Sequence, residues 1–326
     1  MKYAHVLLIP YPAQGHVTPL MDAARCLTRN GLKVTFVNTE FTHKRVMSAC
    51  SEIDGLSDIM QIVSIPDGIE SCDDRSDLGK LTKAVFEHMP TKLEELINDI
   101  NKNNEEKIAC IIADYGMGWV SRVAQKIGIR LAMFSPTSAA ILALTMSIQK
   151  LINEEVINYN GVPLKDEIIQ LSTTMPFMDP TKFNWSSWES GQLGTSTGGP
   201  KPSVGGLFHE SLCWNSTMEG VSNGVPFLCW PYFAEQFFNK TYICDIWKIG
   251  VGLDKDDAGI VTREEIKIKV EELLSNNLIK ENALSVQETV MNSLQVGNSS
   301  NKNLNNFIDW IKIGNHHVGD DETCDY

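Results

Sequence analysis

The first half of the chain alternates short, unbroken apolar runs with longer stretches of helical spacing. Residues 6–9, 34–37, 61–65, 108–113 and 131–134 read as strands buried on both faces. Between and after them, 20–27, 81–100, 119–127 and 138–152 place apolar side chains at helical intervals. Continuous apolar strands alternating with helices predict a parallel sheet with helices on both faces. Such a sheet keeps its binding crevice at the carboxyl ends of its strands. The segments of chemical interest are therefore 10–16, 38–43, 66–72, 114–118 and 135–137.

The pattern changes at 186–206, which has no apolar period and is dense in Gly, Ser, Thr and Pro. This composition reads as a linker. Beyond it, 225–230 and 249–253 read as strands, and 215–221, 233–247, 282–294 and 303–313 as helices. Thr262-Arg-Glu-Glu265 is a capping box that opens a further helix to about 274. The organisation expected is an N-terminal Rossmann-like domain over 1–185, a linker over 186–206, a partial C-terminal domain over 207–313, and a polar tail over 314–326. Two strands are fewer than an independent doubly wound sheet needs.

Composition narrows the function. Of 326 residues, 43% are hydrophobic and 21% charged, a globular balance. The net charge of -13 disfavours nucleic acid and anionic membrane surfaces as partners. The eight cysteines include no C-x-x-C pair and do not cluster with the seven histidines, so no metal site is expected and the thiols read as reduced. No run of about 18 apolar residues is present, and 6–9 is too short for a signal-peptide core. The expectation is a cytoplasmic protein, with the four Asn-x-Ser/Thr matches arising by chance.

Two residues at predicted strand ends could carry chemistry. His16, after Gly15, sits where an imidazole could act as general base, or it could simply pack at a helix start. Asp114 closes the run 108–113, where it could orient a histidine or cap the next helix. In the second half, Asn215 and Ser216 stand at a predicted helix start suited to phosphate oxygens, and Glu219 lies one turn on. Glu235 and Gln236 form an acid–amide pair that could hold sugar hydroxyls; capped helices of a plain strand–helix unit remain the alternative.

Several segments together resemble plant UDP-glycosyltransferases. Trp214-Asn-Ser-Thr-Met-Glu-Gly220, Asn223-Gly-Val-Pro226 and Pro231-Tyr-Phe-Ala-Glu-Gln236 look like the second half of that family's secondary-product box. Pro10-Tyr-Pro-Ala-Gln-Gly-His16 looks like its opening segment, and Ala113-Asp-Tyr-Gly-Met-Gly-Trp119 like its second catalytic position. Phe36-Val-Asn-Thr-Glu40, Ser64-Ile-Pro-Asp-Gly68 and the helix at 304–312 match too.

The resemblance implies an α/β fold of GT-B type, with two Rossmann-like domains facing a cleft and the C-terminal one incomplete. It implies glucose transfer from UDP-glucose to a hydroxyl of a small flavonoid or phenolic acceptor, with inversion, by a monomer that needs no metal. His16 would be the base and Asp114 its partner. Trp214, Asn215, Ser216, Glu219, Glu235 and Gln236 would hold the donor, and Gly15 and Ser135 the acceptor.

The chain departs from the family in its donor half. Nothing in 186–206 matches the Trp-x-Pro-Gln segment that opens the box, and Ser211-Leu-Cys-Trp214 stands where the family has Ser-His-Cys-Gly-Trp. His209 is out of register with the missing histidine. The departures imply a second reading, an impaired or inactive family remnant that at most binds acceptor, and they predict a poorly packed second half. A dehydrogenase on a Rossmann sheet is disfavoured because no Gly-x-Gly-x-x-Gly follows the first strand.

Overall fold

Five of the apolar segments form one parallel sheet. In the computed structural model, which describes residues 3–49, 59–70, 75, 77–102, 107–165, 167–173, 175, 177–183, 212–231 and 235–313, these strands are β1 (His5–Ile9), β2 (Lys33–Thr39), β3 (Met60–Ile65), β4 (Ile108–Asp114) and β5 (Arg130–Phe134). The linker at 186–206 and the tail at 314–326 lie outside the described residues. The described chain falls into two compact units, 1–136 with 301–326, and 137–300. The first division thus comes at 136, ahead of the compositional boundary at 185.

In the first unit the strand order is β3-β2-β1-β4-β5, all parallel. β1 is buried along its whole length, as its unbroken apolar run requires, whereas the edge strands β3 and β5 are only partly covered. Helices α1 (Gln14–Arg29), α2 (Glu40–Ala49), α3 (Leu78–Asn101) and α4 (Val120–Ile127) connect the strands. One face packs Leu7, Ile9 and Val37 against Val85, Met89 and Leu93 of α3. The other packs Val6, Leu8 and Phe36 against Leu20, Met21 and Ala24 of α1.

The helix at the end of the chain returns to this unit. Ile308 and Ile311 of α11 (Ser299–Ile313) are buried on the α1 face of the sheet. The Arg130 guanidinium lies 3.6 Å from the Trp310 ring centroid and donates to the Trp310 carbonyl at 2.6 Å. Trp310→Ala is expected to cost about 1–2 kcal/mol through loss of this cation–π contact and ring packing. Urea unfolding should show it, and a change below a few tenths would remove the contact from the account.

The second unit has a smaller sheet. β6 (Phe227–Cys229) and β7 (Gly250–Gly252) pair in parallel, with Phe227 opposite Gly250 and Cys229 opposite Gly252. Around them lie α7 (Trp214–Ser222), α8 (Gln236–Thr241), a π-helical turn (Tyr242–Ile246), α9 (Arg263–Ser275) and α10 (Asn277–Leu294). α5 (Ala139–Met146) and α6 (Ile148–Asn153) complete the unit. Leu212, Val221, Phe227, Ile243 and Ile249 form a buried core, so the second half does pack around its two strands. Leu278, Leu284 and Leu294 of α10 are exposed.

Several element boundaries differ from the sequence reading, each for a local reason. α1 begins at Gln14 rather than 20 and carries Pro19 inside it, one turn in, where proline withholds an N–H from the Gly15 carbonyl. The segment 138–152 divides into two helices at Ser147, whose hydroxyl bonds back to the Ala143 carbonyl at 2.8 Å. α10 starts at Asn277 because the Asn276 side chain accepts from the N–H groups of Leu278 and Ile279. α2 had no clear periodic signal; reciprocal Thr39–Thr42 hydrogen bonds turn the chain directly from β2 into it.

Candidate active site

The strand order reverses between β1 and β4. Connections run outward from β1 through β2 to β3, then return to the other side at β4. The carboxyl ends of β1 and β4 therefore border the topological switch point, where open α/β sheets place their ligands. His16 follows β1 in the first turn of α1, and Asp114 is the last residue of β4. They lie 98 positions apart in sequence, and their side chains meet.

The His16 Nδ1 and Asp114 Oδ2 atoms are 2.9 Å apart. Asp114 is fully buried, and the His16 side chain is 35% exposed. The carboxylate accepts only, so Nδ1 carries the proton and Nε2 keeps its lone pair. The second carboxylate oxygen accepts the Gly116 N–H at 2.8 Å and caps the 3₁₀ turn Tyr115–Met117. Asp114 is thus both a cap and a histidine partner, one oxygen for each. Two fixed bonds leave the carboxylate little freedom, and that constraint sets the orientation of the imidazole.

Tyr11 supports the other side of the pair. Its ring centroid lies 5.2 Å from that of His16, tilted by 56°. Its hydroxyl bonds to Thr82 Oγ1 at 2.8 Å, and burial raises the phenol above its ordinary range. The sequence reading missed both residues, because a tyrosine in a turn and a threonine on a distant helix share no spacing signal. Tyr11→Phe keeps the ring and loses one hydrogen bond, so it should cost about 1 kcal/mol of stability. Chemical denaturation would measure it; a loss above about 3 kcal/mol would mean that the hydroxyl does more than bond Thr82.

Gly15 and Ser135 flank the same sheet edge. Gly15 is exposed in the first turn of α1, with open space where a Cβ would stand. An α-helical N–H bonds four residues back, and Pro19 has none to offer the Gly15 carbonyl. Ser135 is half-buried directly after β5. Asp67, in the loop after β3, takes two bonds from Arg75, Nε to Oδ2 at 3.1 Å and an Nη to Oδ1 at 3.2 Å. This buried clamp was also missed, since two residues eight positions apart share no periodic cue.

In the second unit, α7 begins after Cys213, and among the described residues no side chain caps its first turn. Its first-turn N–H groups belong to Trp214, Asn215 and Ser216, all half-buried. Asn215 Nδ2 donates to Glu219 Oε1 at 2.9 Å, one turn along, and the Trp214 ring lies 6.1 Å from that of Trp247. Gln236 is buried as the first residue of α8, with Glu235 immediately before it. Asn239, three residues on, donates to the Leu212 carbonyl at 2.7 Å and so ties α8 to the approach of α7. Its spacing from Gln236 on one helix face was the signal available for it.

Comparison with known proteins gives a consistent picture. Residues 203–293 match the family model "UDP-glucoronosyl and UDP-glucosyl transferase". The chain is 33% identical to UDP-glycosyltransferase 83A1 of Arabidopsis thaliana over 452 aligned positions, covering 96% of this chain and 97% of that one. The chain belongs to the plant UDP-glycosyltransferase family. It is also 23% identical to UDP-glycosyltransferase 85A8 of Stevia rebaudiana, covering 94% and 97% of the two chains. The 452-position alignment is longer than the 326 residues of this family member, so much of the relative's interior has no counterpart here.

Solved structures show the GT-B fold. Phytolacca americana UGT2 complexed with UDP-2fluoro-glucose and pterostilbene superposes with a TM-score of 0.74 at 13% identity, covering 95% of this chain and 99% of that one. Os79 from O. sativa in complex with UDP gives 0.68 at 19% identity, covering 94% and 100%.

Proposed function

We propose that this family member transfers glucose from UDP-glucose to a hydroxyl of a small plant metabolite of flavonoid or phenolic type, in the cytoplasm, with inversion. The observation that carries the reading is the His16–Asp114 pair at the switch point. His16 Nε2 takes the proton from the acceptor hydroxyl as its oxygen attacks the anomeric carbon. Asp114 stabilises the imidazolium that forms, and UDP leaves. Gly15 and Ser135 line the acceptor side. The uncapped N–H groups of α7 at Asn215 and Ser216 suit the diphosphate, Glu219 the ribose, and Glu235 and Gln236 the sugar. Trp214 packs within the donor region. The complex of UGT2 with UDP-2fluoro-glucose and pterostilbene supports a sugar nucleotide and a small acceptor as the two ligands.

A second reading rests on the donor half. The Trp-x-Pro-Gln segment and the His-Cys-Gly sequence before Trp214 are absent, and the second sheet has two strands among the described residues. On this reading the chain binds acceptor without turnover. Titration of the purified chain with UDP-glucose, in the presence of a panel of hydroxylated acceptors and with UDP release as readout, separates the two. Acceptor-dependent UDP release supports transfer. Acceptor binding with no UDP release, and no donor binding at millimolar concentration, supports the second.

A further inference from the structure

The bond to Asp114 fixes one corner of the His16 ring and leaves the ring free to swing about it. A general base needs more than that, because Nε2 has to meet the acceptor hydroxyl along one line. Tyr11 is placed to remove the remaining freedom. Its backbone is held in the turn between β1 and α1. There the Tyr11 carbonyl accepts the Ala13 N–H at 2.8 Å, and the Ala13 carbonyl accepts the His16 N–H at 2.9 Å. The Tyr11 ring then meets both partners of the pair. Its centroid is 5.2 Å from the imidazole, with the planes at 56°. It also lies over the turn that caps Asp114: a Cβ built on Gly116 would stand 3.6 Å from Tyr11 Cδ2 and 3.1 Å from Asp114 Oδ1.

The far end of the ring is pinned from a different layer. Thr82 stands in the second turn of α3, 71 positions away, and its Oγ1 bonds the Tyr11 hydroxyl at 2.8 Å. α3 is a firm reference for that bond. Asp77 caps its start by accepting the Lys80 N–H at 3.0 Å, and Leu81, Val85 and Met89 are buried against the sheet. Burial raises the phenol, the Thr82 bond opposes it and the Asp114 charge adds to it, so the hydroxyl keeps its proton. The position of α3 is thus passed through one phenol ring to the imidazole. A reacting group is held to its working geometry when packing and hydrogen bonds lock the side chains behind it.

We propose that Tyr11 and Thr82 are positioning residues for the transfer reaction: the Thr82 hydroxyl pins the Tyr11 ring, and the ring holds the His16 imidazole so that Nε2 points at the acceptor hydroxyl. The proposal rests on the reading of His16 as the base. Neither residue touches the reacting atoms, and both act through the imidazole. The ring supplies most of the effect, because it is the ring that meets His16 and the Asp114 turn. The hydroxyl bond supplies the rest, by fixing the ring.

The test measures UDP release by the full chain, well below its melting temperature, for Tyr11→Leu, Tyr11→Phe, Thr82→Val and the Tyr11→Phe/Thr82→Val pair. Tyr11→Leu should lower kcat by about 10–10²-fold, the scale of a misplacement near 1 Å, with both KM values unchanged. Tyr11→Phe and Thr82→Val should each lose a smaller part, about 3–10-fold. The double variant should be no slower than either, since both changes remove the same bond. Lower melting temperatures with wild-type kcat, or a raised acceptor KM with kcat intact, would overturn the proposal, as would losses that multiply in the double variant. A second readout needs no turnover. The His16 Nδ1 proton, assigned in the NMR spectrum by its loss in His16→Ala, should exchange slowly with water in the wild type and faster in Tyr11→Leu. Thr82→Val, which keeps the side-chain shape, serves if Tyr11→Leu fails to fold. Faster exchange in a chain that releases no UDP would sink the reading of the function and leave the placement of the imidazole standing. Equal exchange would overturn the proposal whatever the turnover.

Discussion

His16→Ala is expected to lower kcat for glucosyl transfer by about 10²–10⁴-fold, the usual contribution of a positioned general base. The imidazole meets the protein through one hydrogen bond to Asp114 and a ring contact with Tyr11, and its side chain is 35% exposed. The substitution therefore removes a base without opening the core, and the melting curve should hardly move. Asp114→Asn tests the same machinery from the other side. The amide loses the negative charge that stabilises the imidazolium, and it can present an N–H to Nδ1, which favours the wrong tautomer. Its kcat should fall on a similar scale, about 10²–10⁴-fold, although the geometry changes little. UDP-release kinetics at saturating acceptor checks both. Wild-type turnover in His16→Ala would remove the histidine from the mechanism.

The second large effect is on the fold. Phe227→Ala is expected to destabilise the second unit by about 3–5 kcal/mol, the range for removing a fully buried aromatic ring. Phe227 is completely buried, and its ring occupies the space above Gly220, where a Cβ would come within 2.5 Å of it. Gly250 has the same constraint from the strand side, with the Phe227 carbonyl 2.5 Å from a Cβ built there. A two-stranded sheet has few other side chains to redistribute that loss. Hydrogen exchange should show protection lost in β6 and β7 while β1 and β4 keep theirs. Protection unchanged in β6 would mean that the ring is not central to this core.

The element series was largely legible. Runs such as 6–9 and 108–113 are apolar at consecutive positions because their strands are covered on both faces, and no other local structure buries such a run so simply. Thr262 was legible as a cap, and its hydroxyl does accept the Glu265 N–H at 3.1 Å. Less legible were features made by contacts between distant segments. Tyr11 with Thr82 is one case and Arg75 with Asp67 another. Asn239 with Leu212, across 27 positions, is a third.

The sequence by itself determined the fold class and nominated His16 and Asp114, because burial on two faces and residue type at a strand end are both written locally. It left open whether Asp114 caps a turn or partners a histidine. Only the tertiary structure decided that it does both, since the parallel register of β1 with β4 carries the two strand ends to the same edge. Side-chain periodicity records which face is buried, not which distant residue shares it.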